Sequence, residues 1–123
     1  MPSALVIDGD RVFCENLCQT LGLLDVSARP AYNAHAALLT LVDNTPDLIF
    51  LSYQVGGEGG EGLEFLEFLQ GESALAGIPV VMMVEETGGV FPAQILQAGV
   101  LALIARPISL EALERVLRKA GMV

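Results

Sequence analysis

Four consecutive apolar residues, Leu48-Ile49-Phe50-Leu51, are led in by Pro46-Asp47 and followed by Ser52-Tyr53 and a glycine-rich stretch that runs to Gly62. A strand with one face in water alternates apolar with polar residues. An unbroken apolar run of this length therefore reads as a strand covered on both faces, the condition of the middle of a parallel sheet. Such a strand delivers its carboxyl end, here Ser52, into the crevice where open α/β sheets place their ligands.

The segments on either side repeat the pattern. Ala4-Leu5-Val6-Ile7 is a first buried strand, stopped by Asp8-Gly9-Asp10, whose last aspartate can cap a helix. From Arg11, the residues Phe13, Cys14, Leu17, Cys18 and Leu21 recur at helical spacing, with Gly22 past the expected end. Asp25 to Arg29 is a weaker strand closed by Pro30, which suits a sheet edge. Asn33 can cap a second helix with Ala34, Ala37, Leu38, Leu41 and Val42 on its inner side, and His35 in its first turn reads as a solvated surface residue. A third helix spans Leu63 to Leu69. Its apolar arc covers about 220°, wider than one buried face needs, so Phe68 or Leu63 is expected at the surface.

Ile78 to Val84 is a fourth strand, apolar throughout and hence central. A short helix about Phe91 to Ala98, a fifth strand Leu101 to Ile104, the turn Arg106-Pro107 and a helix from Ser109 to Lys119 complete the chain. Glu111 near the start of that last helix, and Arg115, Arg118 and Lys119 near its end, complement its dipole. Five strands alternating with five helices imply a doubly wound α/β fold, with a parallel sheet covered on both faces by right-handed crossovers. Residues 1–123 read as one domain.

The formal charge of −9, from 15 acids against 6 bases, disfavours nucleic acid and anionic membrane surfaces as partners and favours a basic protein surface. Cys14 and Cys18 are too few for a disulfide framework. On one helix they stand roughly 5 to 6 Å apart, beyond bridging distance, so they read as small core side chains in a reducing cytoplasm. The amino end lacks the basic region of a secretory signal, and the longest uncharged stretch, Thr87 to Ala105, is too interrupted for a membrane span.

Taken together, Leu5-Val6-Ile7-Asp8-Gly9-Asp10, Pro46-Asp47-Leu48-Ile49-Phe50-Leu51, Glu61-Gly62-Leu63-Glu64-Phe65-Leu66, Ile78-Pro79-Val80-Val81-Met82-Met83, Gln97-Ala98-Gly99 and Arg106-Pro107 carry a resemblance. Over essentially its full length the chain resembles the receiver domain of bacterial two-component response regulators. The resemblance implies a flavodoxin-like (βα)5 fold, strand order 2-1-3-4-5, and a site at the carboxyl edge of strands one, three and five. In that family an aspartate ending the third strand accepts a phosphoryl group from a histidine kinase, assisted by magnesium. By the same resemblance, Asp8 holds the first acid position, Gly9 the second, and Asp10 the neighbouring place. Ser52 stands at the acceptor position, Val84 replaces a threonine or serine, Arg106 replaces a lysine, and Leu103 takes the switch aromatic's place.

These departures carry chemical consequences. A serine hydroxyl needs a base to become a nucleophile, and none is evident near Ser52. With acids missing at positions 9 and 52, Asp8 and Asp10 form at most a weak residual magnesium site, so no cofactor is expected. The planar fork of Arg106 suits a carboxylate, and it is expected to close onto Asp8. The reading is a non-enzymatic pseudo-receiver, a phosphorylation-independent interaction module. Its partner surface, in receivers the fourth helix, fifth strand and fifth helix, is expected to include Val90, Phe91, Ile95 and Leu96, with a homodimer as one form it could take. Two alternatives stay open. One is a signalling receiver phosphorylated at Ser52 or Asp10. The other is a nucleotide- or flavin-binding protein using Gly57-Glu58-Gly59-Gly60-Glu61-Gly62, although Glu58 and Glu61 would repel a pyrophosphate.

Overall fold

The apolar runs become five parallel strands, joined in strict alternation by helices. The computed structural model describes residues 1–55, 61–85 and 92–122. In chain order the elements are β1 (Ser3–Ile7), α1 (Arg11–Leu23), β2 (Ser27–Ala31), α2 (Ala34–Asp43), β3 (Leu48–Ser52), α3 (Glu61–Gly71), β4 (Val80–Glu85), α4 (Pro92–Gln97), β5 (Ala102–Arg106) and α5 (Leu110–Lys119). The sheet order is β2-β1-β3-β4-β5, with every neighbouring pair parallel. β3 lies between β1 and β4 and is buried at all five residues, as its unbroken apolar run requires.

Alternation along the strands divides the interior in two. Leu5, Ile7, Ile49, Leu51, Met82 and Val84 point into a core roofed by α2, α3 and α4. Ala4, Val6, Leu48, Phe50, Val81 and Met83 point the other way, against α1 and α5. Burying a side chain such as Phe50 contributes about 2 to 3 kcal/mol, so each face is held by many such terms.

Three helices start on side-chain caps. Asp10 accepts from Phe13 N at 3.0 Å, Asn33 from Ala36 N at 2.8 Å and Ser109 from Ala112 N at 3.1 Å, each satisfying a donor that the first turn leaves free. α1 does not stop at Gly22. The helix continues to Leu23 and ends where Asp25 takes a φ of 64°, a left-handed conformation that a short polar side chain tolerates. β2 also starts later than its composition suggests and runs through Pro30, which the sheet edge permits because that strand needs fewer ladder donors.

Two side chains expected inward or at the margin resolve clearly. Val42 is 84% exposed, since Ala37 and Leu41 define the buried stripe of α2 and Val42 lies about 100° round from it. Phe68 is 41% exposed, as the wide apolar arc of α3 demands. No helix among the described residues is long and apolar enough to cross a membrane.

Candidate functional site

The carboxyl edge of the sheet gathers Asp8, Ser52, Glu85 and Arg106, because β1, β3, β4 and β5 all point the same way. Asp8 follows β1 directly and is 4% exposed. Its backbone N–H donates to Ala31 O at 3.0 Å, and its Oδ1 accepts from Asp10 N at 3.0 Å. Arg106 ends β5 on the same side of the sheet, and its Nη1 reaches Asp8 Oδ2 at 2.9 Å. The fork is divided between two acids, with Nη2 3.3 Å from Glu85 Oε1. The guanidinium carbon also sits 4.5 Å from the centre of the Phe13 ring on α1, a cation over an aromatic face.

The pair is close but not aligned. Among the described residues, neither Asp8 Oδ2 nor Arg106 Nε has a hydrogen-bond partner. The 2.9 Å contact is therefore an ion pair more than a directed bond. Burial pushes the Asp8 carboxyl above its ordinary value, more than the Asp10 N–H and the guanidinium pull it down, and the charges of Asp10 and Glu85 add to the rise.

Ser52 is 1% exposed at the end of β3. Its Oγ accepts from Gln54 N at 3.2 Å, so the hydroxyl braces its own turn. The next helix presses on the same turn. Gly62 N donates to Tyr53 O at 3.0 Å, and a Cβ on Gly62 would stand 2.7 Å from Tyr53 Cα and closer still to Ser52 O. Only glycine fits there. Gly9 differs, since a Cβ added to it would meet Val55 O at an ordinary 3.5 Å.

Val84 is buried in the core under α2, α3 and α4, opposite Ala105 in register, and Leu103 lies half-buried against the same core. Both pack into that core, on the sheet face opposite the one against which Phe13 packs. An open depression outside the edge is lined by Asp8, Gly9, Asp10, Asn33, Gln54 and Val55, without Ser52. Glu85 and Phe13 are members of the site that residue types did not single out. Glu85 falls just past the expected fourth strand and Phe13 among the positions recurring at helical spacing in the first helix; the signal in Glu85 was its place next to Val84.

Cys14 donates its thiol to Asp8 O at 3.3 Å, and burial together with the Asp8 charge pushes its pKa up to about 12. It packs as a core side chain, while Cys18 is half-buried, and neither is bridged. His35 is exposed on α2, and no three His, Cys, Asp or Glu among the described residues are placed to hold a metal ion.

The expected surface patch is corrected in part. Ile95 is 1% exposed and belongs to the core, because it is the inward residue of the short helix α4, whereas Leu96 beside it is exposed. Val90 and Phe91 lie outside the described residues, as do positions 56–60 of the glycine loop.

A family model described as the response regulator receiver domain matches residues 4–118. The chain belongs to the response-regulator receiver family. Receiver domains are signalling modules of two-component systems, in general not enzymes, and they act by contacting other proteins such as kinases and effector domains. This receiver domain is similar in fold to the signal receiver domain of a DNA-binding response regulator from Colwellia psychrerythraea, at 23% identity and TM-score 0.85 over 100% of both chains. It is likewise similar to a response regulator described as putative from Chloroflexus aurantiacus, at 22% identity and TM-score 0.83, covering 98% of this chain and 99% of that one. The chemotaxis protein CheY4 of Vibrio cholerae gives 19% identity and TM-score 0.84 over 98% of each chain. No curated protein matches the chain.

Proposed function

We propose that this receiver domain, residues 1–123, works without phosphorylation, as a non-enzymatic protein-interaction module of two-component signalling. The observation that carries the reading is Arg106, whose guanidinium lies 2.9 Å from Asp8 and 3.3 Å from Glu85. It occupies the carboxylate that a phosphorylation pocket would keep for a metal ion. Magnesium asks for several oxygen ligands in near-octahedral geometry, most of them carboxylate or water. Here Asp8 is paired with a cation, Asp10 Oδ1 accepts from Phe13 N, Gly9 offers no side-chain ligand and Ser52 offers a neutral hydroxyl. That donor set does not suit the metal, so no step is routed through it.

The chemistry at Ser52 supports the same reading. An aspartate attacks phosphorus as an ionised carboxylate, whereas a serine must lose a proton to a base. Ser52 Oγ is buried and its hydrogen bond among the described residues is from Gln54 N, a donor that cannot accept the proton. Val84 and Leu103 supply neither the hydroxyl nor the aromatic ring that the family's switch uses. The two unbridged cysteines fit a cytoplasmic setting, and exposed Leu96 keeps the α4–β5–α5 face as the partner or homodimer surface.

Intact mass after incubation with acetyl phosphate and magnesium tests the reading. The mass is expected to stay unchanged. A gain of one phosphoryl group, whether on Asp10 or Ser52, overturns it.

A further inference from the structure

The charge of this chain is unevenly placed. All six bases, Arg11, Arg29, Arg106, Arg115, Arg118 and Lys119, lie outside residues 30–105, while nine of the fifteen acids lie inside that stretch. The remaining six acids balance the six bases, so residues 30–105 hold the whole formal charge of −9. The helices α2 and α3 belong to this stretch and cover the sheet face opposite α1 and α5.

Between α2 and α3 runs a groove of about 600 Å³, lined by Leu38, Leu41, Val42, Phe68, Leu75 and Glu72 among others. Val42 and Phe68 are the exposed apolar side chains on its walls, and Leu39 is exposed on the same helix as Val42. The acids stand beside them. Asp43 adjoins Val42, Glu64 and Glu72 lie four residues on either side of Phe68, and all three are exposed. An apolar seam of this kind is solvated at a cost, and the flanking carboxylates repel one another with no base on either helix to relieve them.

We propose that the α2–α3 groove docks a cationic amphipathic helix of a partner protein. Its apolar stripe covers Val42 and Phe68, and its lysines or arginines meet Asp43, Glu64 and Glu72. A helix suits the groove between two others, since helices pack side by side with one set of ridges in another's grooves. A second copy of this chain fits poorly. Its one cationic helix, α5, turns Leu113, Val116 and Leu117 into its own core, and Arg118 leans on Glu114 at 3.8 Å. The proposal does not rest on the state of the phosphorylation pocket.

The test uses the full chain, isotope-labelled for NMR, and a synthetic peptide of about 18 residues, long enough to form a helix. One version has leucines at helical spacing with lysines on the other face; its control carries glutamates in place of the lysines. The lysine peptide is expected to shift the amides of residues 38–45 and 64–75, and to bind more weakly as salt is raised. Val42→Lys is expected to weaken binding by about tenfold or more, while its melting temperature stays near that of the parent. Phe68→Lys repeats the test on the other wall, and Val12→Lys on α1 should leave binding unchanged. Absence of binding, equal binding of the glutamate peptide, shifts confined to α1 and α5, or no effect of Val42→Lys each overturn the proposal. So does a dimer in sedimentation that Val42→Lys dissociates, which would give the groove to a second copy.

Discussion

Arg106 Nη1 lies 2.9 Å from Asp8 Oδ2, although β4 and β3 separate their strands. Three strand spacings amount to about 14 Å, so the long arginine stem is carried over the ends of both central strands to make the contact. The same guanidinium rests on Phe13 and leans toward Glu85, and through it one side chain ties β1, α1, β4 and β5 together.

Removing that side chain leaves Asp8 buried without its cation. Arg106→Ala is expected to lower stability by about 3 kcal/mol in urea unfolding, the usual cost of orphaning one half of a buried pair. In the double variant with Asp8→Asn much of the loss should return, because the orphaned charge has gone. Additive losses would mean that the two side chains contribute independently.

Acid should expose the burden that Asp8 places on the fold. Folding raises the Asp8 carboxyl above its ordinary value of 3.8, so its protonated form is the one the folded state prefers. That preference helps stability in full below the unfolded value and is lost as pH rises through the folded one, leaving the buried charge opposed to folding at neutral pH. Asp8→Asn is therefore expected to stabilise the protein at neutral pH, with Arg106 keeping Glu85 as its partner. The advantage should shrink as pH falls toward 3.8. A loss of stability in Asp8→Asn at neutral pH would mean the guanidinium outweighs burial.

Gly62 should tolerate no side chain. A methyl there would press into the backbone of Ser52 and Tyr53, and main chain cannot rotate aside as a side-chain tip can. Gly62→Ala is expected to cost about 3 kcal/mol, at the upper end for overpacking. Gly22→Ala, in open space within α1, is expected to stabilise by about 0.5 to 1 kcal/mol. Comparing the two thermal midpoints checks the assignment.

Cys14 should resist alkylation. With its thiol pushed to about 12 and buried, hardly any thiolate exists at neutral pH, and thiolate is the reactive form. Iodoacetamide is expected to leave Cys14 unmodified in the native protein and to label it once urea unfolds the chain, with peptide mass mapping as the readout.

The strands were legible because a sheet covered on both faces demands uninterrupted apolar runs, and Leu48 to Leu51 and Val80 to Val84 supply them. The caps at Asp10, Asn33 and Ser109 were legible because few residue types can accept from a free N–H. The meeting of Arg106 with Asp8 followed from the chemistry of a fork and a carboxylate. Glu85 was not foreseen as the second partner, since strand register decides that Glu85 stands opposite Arg106, and register is invisible in composition. Gly22 misled because a glycine that stops one helix is merely tolerated inside another. Val42 and Ile95 exchanged places between surface and core for a related reason. A single apolar residue on a short helix is oriented by its neighbours' packing, not by its own type.

The separation of charge across the sheet has a consequence before any contact forms. α2 and α3 carry acids without a lysine or arginine while α1 and α5 carry both signs, so the domain behaves as a small compass needle in the field of a cationic surface. It is turned to present α2 and α3 while still a Debye length away, about 8 Å in physiological salt. Collisions in the wrong orientation thereby become rarer, and the encounter is sorted by torque before it is sorted by shape.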